Sequence, residues 1–188
     1  MGPVGGGAAD TEVIGLARGE IEDVQGDGAA VIEGDQQTAN DADRIRSTGA
    51  PAIQINTGKG CHLDAHMVGH AIEHLAMDAY GILFIENVGN LVCPATFDLG
   101  EHQRVVLVSV PEGPDKPAKY PVIFRAADLV LLTKSDLLPY LSDFSPERAE
   151  HHLRHLASSV PFTRVSTREE AGIQPPAPGF PNPFTQVS

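Results

Sequence analysis

The 188-residue sequence has no run of 18 apolar residues, only two cysteines, and few basic residues. The lack of a long apolar run excludes a membrane-spanning helix. Two cysteines are too few for a disulfide scaffold; without a signal peptide they indicate a reducing cytosol, where cysteine serves as a ligand or core residue. Thirteen Lys and Arg against 25 Asp and Glu give a formal charge of −12, which disfavours nucleic-acid binding. We predict a cytoplasmic protein with no membrane or nucleic-acid partner.

The two ends of the chain differ in composition from the middle. Nine of the 19 glycines lie in the first 34 residues, and five of the 15 prolines lie in the last 14. Residues 1–28 combine a glycine-rich opening with a weak helical pattern that Gly15 and Gly19 interrupt. The prolines near the end exclude a regular helix or a central strand. We predict three segments: 1–28, a main domain at 29–170, and an extended or disordered tail at 171–188.

Short apolar runs alternate with helical patterns through the main domain, which predicts an α/β doubly wound fold with a parallel sheet. The predicted strands are 29–32, 52–55, 82–85, 105–110 and 129–132. The predicted helices are 38–47, 63–77 and 146–157, the last with Ser145 as its N-cap and Pro146 at its first position. Ligands of such folds bind at the carboxyl ends of the strands, so the polar residues there are candidates for function.

The strongest local motif is a cluster of metal-ligand residue types. Cys61 and His62 are adjacent, and Cys93 follows 32 residues after Cys61. Thiolate and imidazole suit Zn²⁺ or Ni²⁺, and three ligands leave room for water or for thiolates of a second subunit. The alternative is that both cysteines are small buried hydrophobic residues, and spacing alone leaves both interpretations open.

Histidines recur every four residues along the helix predicted at 63–77: His62, His66, His70 and His74. Residues four apart are neighbours on a helix, so pairwise metal sites are conceivable, with His66 as an additional candidate ligand. Four apolar residues, each directly after one of these histidines, form the predicted buried stripe: Leu63, Met67, Ala71 and Leu75. Beyond His62 we favour a partly exposed polar flank.

Acidic residues end two of the predicted strands. Asp35 and Glu86 offer the oxygen ligands that Mg²⁺ requires beside a triphosphate, although acids are also common in such turns as caps. After a third strand, Thr133-Lys134-Ser135-Asp136 is similar to the guanine-recognition motif of GTPases. In that motif a carboxylate accepts two hydrogen bonds from guanine and a lysine stem packs along the base. A charged strand-to-helix loop is the alternative.

The first glycines of the chain have the G-x-x-x-x-G spacing of a phosphate-binding loop, and the candidate phosphate contacts are Gly2, Gly5 and Gly7. Ala8 and Ala9 stand where such a loop has Lys and Ser or Thr. The lysine neutralises phosphate charge and the hydroxyl ligates Mg²⁺, and alanine does neither. No lysine occurs in the first 58 residues to replace it. A flexible glycine-rich terminus is the alternative.

As a set, these motifs resemble the hydrogenase nickel-insertion GTPase family, HypB. The match runs from residue 29 to residue 170, and its most specific segments are 31–38, 54–58, 61–66, 84–95, 97–100 and 133–140. The segment from Glu86 to Gly100, which contains Cys93, distinguishes this family from the related urease accessory GTPase.

The resemblance implies a SIMIBI-type P-loop NTPase with a mainly parallel sheet, flanking helices, and GTP with Mg²⁺ as cofactor. It implies Asp35 and Glu86 as catalytic carboxylates, and as nucleotide contacts the phosphate-loop glycines with Lys134, Asp136 and Ser166. It implies Ni²⁺ or Zn²⁺ on Cys61, His62 and Cys93 at a homodimer interface. The implied function is GTP hydrolysis coupled to nickel delivery, with a nickel-binding accessory protein, into a hydrogenase large-subunit precursor.

The chain departs from the family at its ends. The first strand and the closing helix of the fold are expected to be missing, which predicts an exposed sheet edge. Three hypotheses follow: an active GTPase, a nucleotide-incompetent relative that binds Ni²⁺ or Zn²⁺ without turnover, and a gene fragment with misplaced ends. The strand-end carboxylates and the guanine motif favour the first hypothesis, whereas Ala8 and Ala9 favour the second. GTPase activity is therefore left open by the sequence.

Overall fold

A computed structural model describes residues 13–17, 28–35, 40–75, 80–157 and 159–168. The chain divides into two compact units, Met1–Gln103 and Arg104–Ser188. This division falls inside the segment predicted as a single domain, and the segment boundaries drawn from the sequence stay predictions. Among the described helices, none has the length and apolar character needed to cross a membrane.

The described part of the first unit contains four strands, two α-helices and a short 3₁₀ helix at Pro94–Thr96. The strands are β1 (Val13–Ala17), β2 (Gly28–Asp35), β3 (Ala52–Asn56) and β4 (Tyr80–Glu86), and the helices are α1 (Asn40–Ser47) and α2 (Ala65–Ile72). β2 pairs in parallel with both β3 and β4. The core consists of apolar side chains from β2, β4, the segment around α2 and the stretch after β4: Ala30, Ile32, Leu63, Val68, Ala71, Leu83, Ile85 and Leu99.

The presence and pairing of β1 contradict two predictions made from the sequence. Val13–Ala17 is a strand, so the weak helical pattern predicted within residues 1–28 is wrong there. β1 pairs antiparallel with β4, with Ile14 opposite Glu86 and Ala17 opposite Leu83. Gly15 lowers helix propensity, and the unpaired backbone groups of a strand edge favour a partner. The exposed edge expected from a missing first strand is therefore wrong for β4, which has a neighbour on each side.

α2 is shorter than the helix predicted at 63–77, of which residues 76–77 lie outside the described part of the chain. Asp64 caps it, because its carboxylate accepts a hydrogen bond from the backbone N–H of Met67 at 2.8 Å. Val68 and Ala71 are buried, whereas Met67 is 37% exposed, so the predicted burial of Met67 is wrong. The reason is that Leu63 precedes the helix, and a four-residue period counted from it does not follow the helical face.

Close packing requires glycine at position 34, near the end of β2. A Cβ atom added to Gly34 would lie only 2.7 Å from Cγ of the fully buried Leu63. Only glycine fits at this approach without displacing the leucine. The loop that begins beside Leu63 is thereby held directly against β2.

The second unit begins within β5 (Gln103–Ser109) and continues through α3 (Lys116–Lys119), α4 (Pro121–Arg125), β6 (Leu129–Thr133), α5 (Pro146–Leu156) and β7 (Phe162–Arg164). β6 pairs in parallel with β5 and β7. α5 begins as predicted: Ser145 Oγ accepts a hydrogen bond from the backbone N–H of Arg148 at 3.1 Å. The predicted mainly parallel α/β arrangement is confirmed, and all five predicted strands are present.

Candidate metal centre and base-recognition loop

Cys61, His62 and Cys93 converge in the first unit. One ligand atom from each lies within 4.8 Å of the other two, and all three residues are half-buried. The sulfur of Cys61 is 3.6 Å from Nδ1 of His62. The structure joins the two cysteines as a disulfide, with Cα atoms 6.2 Å apart, which departs from the expectation of two reduced thiols. The physical reason is that cysteines whose Cα atoms lie this close can reach either one shared ion or each other.

The donor set fits Ni²⁺ or Zn²⁺ once both cysteines are reduced, because thiolate is the metal-binding form. Two thiolates and one imidazole supply three ligands of a tetrahedral site, and the fourth position remains available. The ring of His62 stacks on that of Phe97 with centroids 3.7 Å apart, which orients the imidazole. His66 is exposed on α2 and lies outside this three-residue cluster. The metal-binding role itself stays a prediction.

Asn87 ties the segment after β4 to the loop that carries Cys61, and the sequence did not single it out. It is 3% exposed, and its Oδ1 accepts hydrogen bonds from the backbone N–H groups of Leu63 at 2.8 Å and Val88 at 2.9 Å. A buried side-chain amide that satisfies backbone donors from two segments fixes their separation.

Asn90 makes a second link between the same two segments. Its Nδ2 donates to the carbonyl of Cys61 at 2.6 Å, and its Oδ1 accepts from the backbone N–H of Cys93 at 2.9 Å. One side chain therefore joins the backbones of both cysteines. The available signal was its place shortly after a strand end, the same signal that pointed to Glu86.

Asp35 and Glu86 lie at the carboxyl ends of adjacent parallel strands, as predicted. The backbone N–H of Thr57 donates to the carbonyl of Asp35 at 2.9 Å and fixes the end of β2. Their catalytic role stays a prediction. The phosphate-loop residues, glycines 2, 5 and 7 with alanines 8 and 9, lie outside the described part of the chain.

Glu33 is a buried carboxyl that sequence reasoning missed. It is 3% exposed, and its Oε2 has no hydrogen-bond partner among the described residues. Burial, with the nearby charges of Asp35 and Asp41, raises the pKa of Glu33 to about 6, although a hydrogen bond with the backbone of Ala42 opposes the rise. Glu33 and Asp35 share one face of β2, so a carboxyl with a raised pKa lies beside the predicted Mg²⁺ carboxylate.

The guanine-recognition motif forms a tight loop in the second unit. Thr133 ends β6, Lys134 adopts a left-handed backbone with φ 57°, and Ser135–Tyr140 form a short 3₁₀ helix. Oδ1 of Asp136 accepts a hydrogen bond from Oγ of Ser166 at 2.7 Å. The structure therefore brings together two predicted nucleotide contacts that are 30 residues apart in sequence.

The hydroxyl of Ser166 makes two hydrogen bonds, one as acceptor and one as donor. It accepts from the backbone N–H of Arg168 at 3.1 Å and donates to Asp136. Ser166 is 4% exposed, so this bond forms in a shielded position. An ionised carboxylate has about four acceptor positions, and Ser166 occupies one of them while the others can accept from a base.

The parallel α/β arrangement and these loops define the chain as a nucleotide-binding domain of the P-loop NTPase class. Residues 2–164 match the family model described as CobW/HypB/UreG, nucleotide-binding domain, and the chain belongs to this family. The resemblance inferred from the motifs is confirmed.

Curated relatives and solved structures give the same family. The chain is 72% identical over 145 residues to the hydrogenase maturation factor HypB of Rhizobium leguminosarum bv. viciae, and 58% identical over 144 residues to that of Escherichia coli K12. Each alignment covers 77% of this chain but 48% and 49% of the relatives, so the chain spans about half the length of the curated relatives it matches.

Two solved structures are similar in fold. HypB from Helicobacter pylori in complex with nickel has a TM-score of 0.72 at 41% identity, over 75% of this chain and 67% of that one. HypB from Archaeoglobus fulgidus has a TM-score of 0.68 at 38% identity, over 77% and 70% respectively.

Proposed function

We propose that the chain acts in hydrogenase maturation as a GTP-binding metallochaperone that carries nickel. The observation that carries this proposal is the convergence of Cys61, His62 and Cys93 within 4.8 Å. A similar protein whose structure is described as a complex with nickel supports Ni²⁺ as the cargo. Zn²⁺ suits the same donors and would compete for them. A second copy of the chain could complete the ligand set across a two-fold axis.

Guanine recognition would fall to Lys134 and Asp136. The carboxylate of Asp136, held by Ser166, would accept the N1 and exocyclic amine hydrogens of guanine, while the Lys134 stem packs on the base. With GTP bound, Mg²⁺ would take oxygen ligands from Asp35 and Glu86 and neutralise phosphate charge.

Coupling between nucleotide and metal has a physical route within the first unit. Glu86 is followed directly by Asn87, which holds Leu63, and then by Asn90, which holds both cysteine backbones. A displacement of Glu86 would move these links together, so the metal ligands would shift with the state of the nucleotide. Metal release to a partner protein and to a hydrogenase precursor would follow from that shift.

The base-recognition part of the proposal is tested by Asp136→Asn. The amide cannot accept both guanine hydrogens, so GDP affinity should fall about 100-fold, equivalent to about 3 kcal/mol, while xanthosine diphosphate, which offers a carbonyl in place of the amine, should gain affinity. Isothermal titration calorimetry with each of the two nucleotides measures this change in base preference. Asp143→Asn changes an exposed aspartate of the same unit and should leave both affinities unchanged.

The metal part is tested by nickel binding under reducing conditions. Cys61→Ser should remove the tight Ni²⁺ site and any nickel-dependent dimer, whereas His66→Gln should retain both. Equilibrium dialysis gives the stoichiometry and light scattering gives the mass. An unchanged high-affinity site in Cys61→Ser would contradict the proposal.

A second candidate function is metal binding without nucleotide turnover. Ala8 and Ala9 favour it, because neither can neutralise phosphate or ligate Mg²⁺. Absence of guanine-nucleotide binding by the unmodified chain, with nickel binding intact, would support this alternative over the GTP-dependent one.

A further inference from the structure

α5 carries two exposed histidines on one helical face. His151 and His155 are four residues apart, and their ring centroids are separated by 4.3 Å. Metal–nitrogen bonds of about 2.0 Å place two nitrogens on one ion about 3 Å apart, so two rings this close are near enough to share one ion. The helix backbone therefore places both imidazoles within reach of one ion.

A hydrogen bond selects the tautomer of His155. Its Nδ1 lies 2.8 Å from the carbonyl oxygen of His151. Because a carbonyl can only accept, Nδ1 carries the proton and donates, and in the neutral ring the lone pair is then on Nε2. Metal-bound histidines commonly donate their other ring N–H to a carbonyl or carboxylate in this way. The helix thus leaves Nε2 of His155 in the form that binds a cation.

Neighbouring charges do not oppose a cation at this place. Arg148 contacts Asp115 at 3.0 Å, and Arg154 contacts Glu150 at 2.9 Å, so both guanidinium groups have acidic partners. His152, which lies between the pair in sequence, faces Asp115, with 3.7 Å from its Nε2 to the carboxylate. The net charge of −12 further attracts cations to the chain.

We propose that His151 and His155 bind one divalent transition-metal cation of the class that prefers imidazole, Ni²⁺, Cu²⁺ or Zn²⁺, with water completing its coordination. The site shares no residue with the cluster of Cys61, His62 and Cys93, and it does not depend on the proposed function. Two exposed protein ligands hold an ion more weakly than a closed set of four, so this site binds cations reversibly and exchanges them with solvent.

The test uses the full chain with Cys61→Ser and Cys93→Ser, which removes the thiolates of the candidate metal centre. Titration with NiCl₂ is followed in amide NMR spectra, since paramagnetic Ni²⁺ broadens signals of nearby residues. Signals flanking His151 and His155 should broaden at substoichiometric Ni²⁺. His151→Gln and His155→Gln should each weaken this local binding at least tenfold, and ZnCl₂ should compete with the broadening.

His152→Gln is the matched control, because the Nε2 atom of His152 lies 3.7 Å from Asp115, and its ring centroid is 5.9 Å from that of His151, against 4.3 Å within the pair. It should leave the broadening unchanged. Broadening that is absent from this segment in the parent chain, or that is equal in the parent and in both pair variants, would overturn the proposal. Loss of binding only in His152→Gln would also overturn it. Circular dichroism melting of each variant checks that the substitutions at these exposed positions leave the fold intact.

Discussion

The two units hold their candidate functional loops by different means. In the first unit the loops that bear the cysteines are fixed by Asn87 and Asn90, whose side chains are not in the candidate ligand set. In the second unit Asp136, the predicted base-reading carboxylate, is itself the acceptor that ties the loop to Ser166. In the first unit, therefore, the residues that hold the loops differ from the candidate metal ligands. In the second unit, Asp136 both holds the loop and is the predicted base contact. Substitutions should separate stability from binding more cleanly in the first.

The largest expected effect is that of Asn87→Ala. It removes the acceptor of two backbone N–H groups, one of them on the fully buried Leu63, and should lower the free energy of unfolding by about 3 kcal/mol. Urea denaturation measures the change. Asn56 also accepts a backbone hydrogen bond, from Gly58, but is exposed, so Asn56→Ala should cost less than about 1 kcal/mol. Equal losses in the two variants would show that the burial of Asn87 does not matter.

Glu33→Gln should have the next largest effect, and it should depend on pH. Because the pKa of Glu33 is raised from 4.5 to about 6, the folded state binds more protons than the unfolded state between these values, so stability falls as pH rises through this window. Glutamine keeps an acceptor for the backbone of Ala42 without the buried charge. The variant should be more stable than the parent by up to about 2 kcal/mol at pH 7.

Denaturation of both proteins from pH 4 to pH 7 measures this difference, which should vanish near pH 4. Glu73→Gln, at an exposed position of the same unit, is the control and should show no such trend. A difference between parent and Glu33→Gln that stays constant across the range would contradict the role assigned to burial.

The smallest stability effect, about 1 kcal/mol, is expected for Ser166→Ala. Loss of its hydroxyl frees the Asp136 carboxylate, so affinity for a guanine nucleotide should fall about tenfold if the proposed base contact holds. Ser145→Ala removes the N-cap of α5 at a similar cost in stability and should leave the affinity unchanged. Thermal melting and isothermal titration report the two quantities separately. Equal nucleotide affinities in Ser166→Ala and Ser145→Ala would show that Ser166 does not contribute to base recognition.

Local signals account for most of the fold that the sequence predicted. Apolar runs located β2 to β6, and Ser145 with Pro146 located the start of α5. β1 depends on pairing with β4, about 70 residues later, and β7 has only three residues, so neither carries a sufficient local pattern. The length of α2 was overestimated because the four-residue period began outside the helix.

The candidate site was predictable where residue type carries the information. Cysteine is rare in this chain, and cysteine and histidine are chemically specific, so the cluster of Cys61, His62 and Cys93 could be found from sequence. Asn87 and Glu33 are ordinary polar residues whose importance arises from burial against particular backbone groups. Only the folded arrangement supplies that information, and the same holds for the proximity that allows the two cysteines to pair.

Lys134 has a consequence for laboratory evolution of this domain. A non-glycine residue with a left-handed backbone is destabilised by about 1 kcal/mol relative to the right-handed conformation. A screen for heat resistance would therefore favour glycine at this position, and the clones it selected would lose the side-chain stem assigned to the base. Thermal selection and functional selection act in opposite directions on this residue, so a library meant to preserve nucleotide recognition should keep Lys134 fixed.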